Sequence, residues 1–157
     1  VSSANPKIED YEFTTLKPSL GVVDYSLDKG FVISDIPGLI TGASKGIGLG
    51  FQFLKHLSRT RLILQMIDVE GKETKDIEEE SKVLLLELKE YDVNLTEKVK
   101  WLVLNKIDLI PKEKQMKLKE YFDKQQDLEV SLISAKNRIG TENLMKEVGF
   151  TLEKIDE

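Results

Sequence analysis

The sequence predicts an α/β domain, a mostly parallel sheet with helices on both faces. Five short aliphatic or β-branched runs read as strands, and helical periodicity fills the gaps between the later ones. Polar residues suited to chemistry stand at the carboxyl ends of three of these runs, which is where open α/β sheets bind ligands. With 157 residues the chain is long enough for one domain with a proper core. A hydrophobic share of 40% beside 32% charged residues is an ordinary globular balance.

The runs cover residues 20–25, 31–35, 62–68, 100–105 and 128–134. Asp28-Lys29-Gly30 joins the first two and signals a hairpin. Helical patterns cover 47–58, 75–91, 112–126 and 142–155. In the second of these Ile77, Leu84, Leu85 and Leu88 share a stripe. Pro111 opens the third, at a position where a missing N–H costs nothing. The alternation implies parallel strands, with the hairpin as an antiparallel edge pair.

Several classes are excluded. Without cysteine there is no disulfide framework, thiolate metal site or Cys nucleophile. No apolar run is long enough to span a bilayer, and the N-terminus lacks both an initiator Met and a signal pattern. The expectation is a piece of a longer, cytoplasmic protein. The formal charge of −5 argues against a domain that grips nucleic acid by itself. Lys112, Lys114, Lys117 and Lys119 cluster, and read as a solvated helix face before a phosphate-binding patch.

The chemistry centres on Asn105-Lys106-Ile107-Asp108. A carboxylate at Asp108 can accept two hydrogen bonds from the N1–H and amine of guanine, a donor pair that adenine lacks. Asn105 can tie this loop to its neighbours, and the Lys106 stem can lie across the base. The plainer alternative is a polar turn before Pro111. After the next strand comes Ser134-Ala135-Lys136, whose backbone N–H groups suit a guanine carbonyl. Asp35-Ile36-Pro37-Gly38 adds a carboxylate able to hold Mg²⁺ through water, and a glycine that lets its N–H approach a phosphate. Phe13-Thr14-Thr15-Leu16 adds hydroxyls that can complete a Mg²⁺ shell; an exposed loop is the alternative there.

The order FTTL, DIPG, NKID and SAK resembles a translation-factor-class P-loop GTPase. FTTLKPSLGVV, DIPGLITGASKGIGLG and FLKHLSRTR look like the Obg family of ribosome-associated GTPases, across nearly the whole chain. The resemblance implies a three-layer, Ras-like G domain that binds GTP and GDP with Mg²⁺ and turns over slowly. It makes Thr15 the switch threonine on the metal, with Asp35 and Gly38 in the second switch. It also implies a large ribosomal subunit as partner, with rRNA contacted mainly by other domains.

Two departures from the pattern matter. The residue after Gly38 is Leu39, where Ras-like enzymes use Gln to orient water. Hydrolysis then needs another group, a bound monovalent cation or a partner, or stays slow. Arg59 and Arg61 are candidates for stabilising charge, with a helix-end cation as the alternative. No GxxxxGK[ST] loop occurs. Residues 1–157 therefore read as a partial G domain whose first strand and phosphate loop are missing; that strand is expected between those ending at Asp35 and Asp68.

Two other readings stand beside the switch. One is a non-catalytic module that binds protein through the same face. The other is a fragment of a short-chain dehydrogenase, because Thr41-Gly42-Ala43-Ser44-Lys45-Gly46-Ile47-Gly48 matches TGxxxGxG. Against it, two strands precede the motif, and Tyr25-x-x-x-Lys29 lies before it rather than after.

Overall fold

A computed structural model of the chain describes residues 7–8, 19–35, 57–125 and 127–157. Thr15, Gly38, Leu39, the glycine motif at 41–48 and most of the helix expected at 47–58 lie outside the described residues.

Strand β5 (Val99–Asn105) organises the molecule. Trp101, Leu102, Val103 and Leu104 are consecutive and all buried, as befits a strand covered on both faces. It lies between β4 (Ile63–Asp68) and β6 (Glu129–Leu132), and both pairings are parallel. On one face Leu102 and Leu104 pack with Ile77 of α1 (Thr74–Tyr91) and with Leu118 and Phe122 of α3 (Lys112–Asp123). On the other, Trp101 and Val103 pack with Leu144, Met145 and Val148 of α4 (Thr141–Asp156). The chain is therefore an α/β fold, with a parallel three-stranded sheet flanked by helices.

A second, antiparallel sheet runs β1 (Lys7–Ile8), β2 (Ser19–Ser26), β3 (Lys29–Asp35). Its inner residues Val23 and Phe31 join the α4 side of the core. Alternation sends Val22 and Val32 outward, where they are exposed. Tyr25 lies against Gly149 of α4, where an added Cβ would stand 2.5 Å from ring atoms. Its hydroxyl donates to Glu153 at 2.6 Å, and Lys29 reaches the same carboxylate at 2.7 Å.

Among the described residues no ladder joins β3 to β4, the two strands between which a further strand is expected, and the hairpin meets the rest through side-chain packing. The hairpin turn moves. It falls at Leu27-Asp28, with Asp28 left-handed at φ 57°, and Lys29 and Gly30 already belong to β3. Gly30 is needed in the strand because a Cβ there would meet the Val23 carbonyl oxygen and Asp24 Oδ1 at 2.9 Å, beside a register shift in β2.

Other boundaries shift for local reasons. The strand expected at 128–134 ends at Leu132, because Ser134 turns back to bridge Ile139. A short helix, α2 (Val93–Lys98), has too few residues to show a period; Asp92 caps it by accepting from the Asn94 N–H at 2.9 Å. On α1 the stripe runs Ile77, Ser81, Leu88, with Leu84 and Leu85 half-buried. Ser81 belongs there because Gln65 of β4 is buried opposite. The serine hydroxyl donates to Gln65 Oε1 at 2.8 Å, and Gln65 Nε2 returns a bond to the Ser81 carbonyl at 3.0 Å.

Candidate functional site

The carboxyl ends of β4, β5 and β6 meet through one side chain. Asn105 closes β5 and is half-buried. Its Nδ2 donates to Asp68 Oδ1 at 3.1 Å, and its Oδ1 accepts from the Ala135 N–H at 3.0 Å. Asp68 is the last residue of β4 and the register partner of Asn105. One amide thus spans from the outer strand, across the central one, to the loop after β6.

Lys106 follows in the left-handed region, φ 66° and ψ 33°, unusual for a side-chain-bearing residue. That conformation turns the chain out of β5 into a single 3₁₀ turn, Ile107–Leu109, which carries Asp108 exposed. The turn is anchored from both sides. The Ile107 N–H donates to the Ile133 carbonyl at 3.2 Å, and Gln115 Nε2 of α3 donates to the Ile107 carbonyl at 2.8 Å. The Lys106 ammonium pairs with Asp68 Oδ2 at 2.8 Å. Its hydrogen bond to Asp68 is the main cause that raises its pKa above the ordinary lysine value; the charges of Asp68, Glu70 and Asp108 add to it.

The expected donors of Ser134-Ala135-Lys136 need correction. The Ser134 N–H donates to the Ile139 carbonyl at 3.0 Å, and the Ala135 N–H is held by Asn105. Among the described residues the Lys136 N–H is the donor of this trio left over for a ligand carbonyl. Ser134 itself is buried, and its hydroxyl accepts from the Asn137 N–H at 3.3 Å. Asp35 is exposed at the carboxyl end of β3, in the other sheet. Among the described residues no group of three or more metal-ligating side chains occurs.

Sequence reasoning passed over Asp68 and Gln115. The signal for Asp68 was available: a carboxylate ends a parallel strand at the level of Asn105. Gln115 gives no such signal, because only the packing of α3 brings it beneath the turn.

Residues 1–106, more than half of the chain, match the family described as 50S ribosome-binding GTPase. The chain belongs to that family. It is thus a GTPase-family protein built to bind GTP, and TGASKGIG lies within a GTPase domain rather than a dehydrogenase. The match ends at Lys106, so Asp108 and the Ser134–Lys136 loop stand on geometry alone.

Several other charges of this chain pair away from these loops. Arg61 pairs with Asp156 before the amino end of β4, the pole opposite the strand ends. Two of the α3 lysines face acids on their own helix: Lys117 with Glu113 at 3.0 Å and Lys119 with Asp123 at 2.6 Å. Lys114 donates to the Lys72 carbonyl at 2.7 Å. No helix among the described residues is long and apolar enough to cross a membrane.

Proposed function

We propose that this chain is a partial G domain that reads the base of a guanine nucleotide, in a GTPase switch acting on large ribosomal subunit assembly. The supporting observation is the Asp68–Asn105–Ala135 hydrogen-bond chain, which holds the NKID and SAK loops side by side at the carboxyl ends of a parallel sheet. Asp108 takes the N1–H and amine of guanine. The Lys106 stem covers the base, and the Lys136 N–H meets the carbonyl.

The phosphate half rests on Thr15, Asp35 and Gly38. An exposed carboxylate at a strand end suits Mg²⁺, which keeps most of its waters and takes few protein ligands. Asp35 and Thr15 would hold it, and bound Mg²⁺ supplies charge screening between the terminal phosphates. The Gly38 N–H approaches the outermost phosphate. Leu39 can neither donate nor accept a hydrogen bond, so turnover is slow unless a monovalent cation or a partner assists. The family resemblance to Obg, the large subunit as partner and a cytoplasmic setting belong to this same reading.

The test is Asp108→Asn in a protein that carries the complete G domain, read as preference between guanosine and xanthosine diphosphates. A carboxamide offers one donor and one acceptor, which fits the xanthine edge, so preference should move toward xanthosine. An unchanged preference would remove Asp108 from the role. The 157 residues contain no GxxxxGK[ST], so affinity in this chain should be weak. Tight, Mg²⁺-dependent GTP binding in a calorimetric titration would overturn that expectation.

A further inference from the structure

Asp68 stands outside every motif that suggested the site, yet it touches two of the motif's four residues. One carboxylate oxygen accepts from the Asn105 amide at 3.1 Å, and the other meets the Lys106 ammonium at 2.8 Å. We propose that Asp68 is a positioning residue for base recognition, presetting the Asn105 and Lys106 side chains of the loop before nucleotide arrives. The proposal rests on the guanine reading above.

Three features carry it. First, an Asn amide has two ends of nearly equal shape, and only its partners fix which way it faces. A carboxylate accepts and cannot donate, so Asp68 compels the NH₂ end toward β4 and leaves Oδ1 toward the β6 loop. That is the arrangement in which Oδ1 can take the Ala135 N–H. Reversing the amide would set oxygen against carboxylate on one side and NH₂ against N–H on the other. Second, Asp68 and Asn105 are register partners on adjacent parallel strands, so their separation is set by the ladder rather than by a loop. Third, Lys106 sits in a strained left-handed conformation with a long side chain that would otherwise sample many rotamers. Pairing with Asp68 narrows that sampling on the side where the base is to lie, so less ordering remains when a ligand binds.

The Asp68 side chain is 43% exposed, so its replacement leaves the core intact. The experiment compares Asp68→Ala and Asp68→Asn in the 157-residue chain by NMR, first without ligand and then with guanosine and adenosine diphosphates. In Asp68→Ala the Asn105 side-chain NH₂ resonances should shift and the Ala135 amide should lose protection from exchange. Guanosine diphosphate affinity should fall about tenfold, the weight of one charge-assisted hydrogen bond. Asp68→Asn keeps an acceptor for the Asn105 amide, so it should restore the Asn105 and Ala135 signals while the Lys106 ammonium signal stays altered. A merely structural role would give no such split.

If Asp68→Ala leaves the Asn105 and Ala135 signals unchanged, the proposal is overturned. It is equally overturned if those signals change while guanosine diphosphate affinity does not. Titrations run to ligand concentrations at which the shifts saturate, because affinity in this chain is expected to be weak; a parent chain that then distinguishes neither diphosphate removes the guanine reading, and positioning for it falls too. The ligand-free spectra then still decide whether Asp68 sets the Asn105 amide, so the two failures are told apart.

Discussion

The parallel sheet and the hairpin sheet are built from similar residues but held by different means. In β5 four consecutive side chains are buried because helices cover both faces. In β2 and β3 alternate residues are buried, Val23 and Phe31 inward against Val22 and Val32 outward. The first sheet pairs its strands in parallel and carries the NKID and SAK loops at its carboxyl ends. The second touches the rest through apolar packing and one small polar cluster at Glu153. The contrast teaches where precision comes from. Asp68, Asn105 and Ala135 keep their relative positions through the parallel ladders and the bonds between their side chains and backbone, whereas the hairpin is seated on the helix by packing.

The contrast can be broken or sharpened by substitution. The largest effect belongs to the centre of β5. Leu104 is fully buried, so Leu104→Ala should cost about 2–5 kcal/mol by urea unfolding, whereas exposed Val32→Ala should stay within about 0.5 kcal/mol. Similar losses at the two sites would erase the distinction between the sheets.

Next comes the polar pair under α1. Ser81→Ala leaves buried Gln65 Oε1 without its donor and should cost about 1–3 kcal/mol. Adding Gln65→Leu removes the unpaired group, and the double variant should recover part of the loss. A double variant as unstable as the sum of the singles would mean the pair is not coupled.

Gly149→Ala probes how the hairpin is seated. Alanine gains about 1 kcal/mol of helix propensity, while overpacking against Tyr25 costs about 1–3 kcal/mol. The balance should be a net loss of up to about 2 kcal/mol. With Tyr25→Ala in the background the same change should become neutral or stabilising. If Gly149→Ala stabilises the parent chain, the close approach of ring and helix is not a constraint.

The smallest effect is the pH response of the hairpin's polar cluster. Hydrogen bonds from Lys29 first and Tyr25 second hold the Glu153 pKa below the usual carboxylate value. A depressed carboxylate contributes stability that is present above its unfolded pKa and fades as pH falls through the folded one. Acidification should therefore raise hydrogen exchange in β2 and β3 before it does so in β5. Simultaneous loss in both sheets would show that the Glu153 cluster does not govern the hairpin.

Much of this was legible in the sequence, and the reasons are physical. β5 reads itself, because an unbroken aliphatic run between turn residues needs cover on both faces. The helices α1, α3 and α4 announce themselves through periodicity and, for α3, through Pro111. The hairpin was legible as a hairpin, but its turn was misplaced by taking Gly30 for a turn residue; its glycine answers a close approach inside the strand. The NKID loop could be found from residue types alone. What those types could not say is how backbone donors are spent. Ala135 was expected to offer its N–H to a ligand, and a contact from Asn105 on another strand claims it. Asp68 was named only as the end of a strand, since a carboxylate gains a role from its neighbours in space.

Asn105 has a consequence beyond holding two loops. Its amide links the last residue of one outer strand to the backbone past the other, through one bond it donates and one it accepts. Two loops that follow different strands are thereby tied to one side chain at the end of the strand between them. The separation of the two loops is then gauged by the spacing of a β-sheet, a length that the polymer backbone fixes and that few side-chain changes can retune.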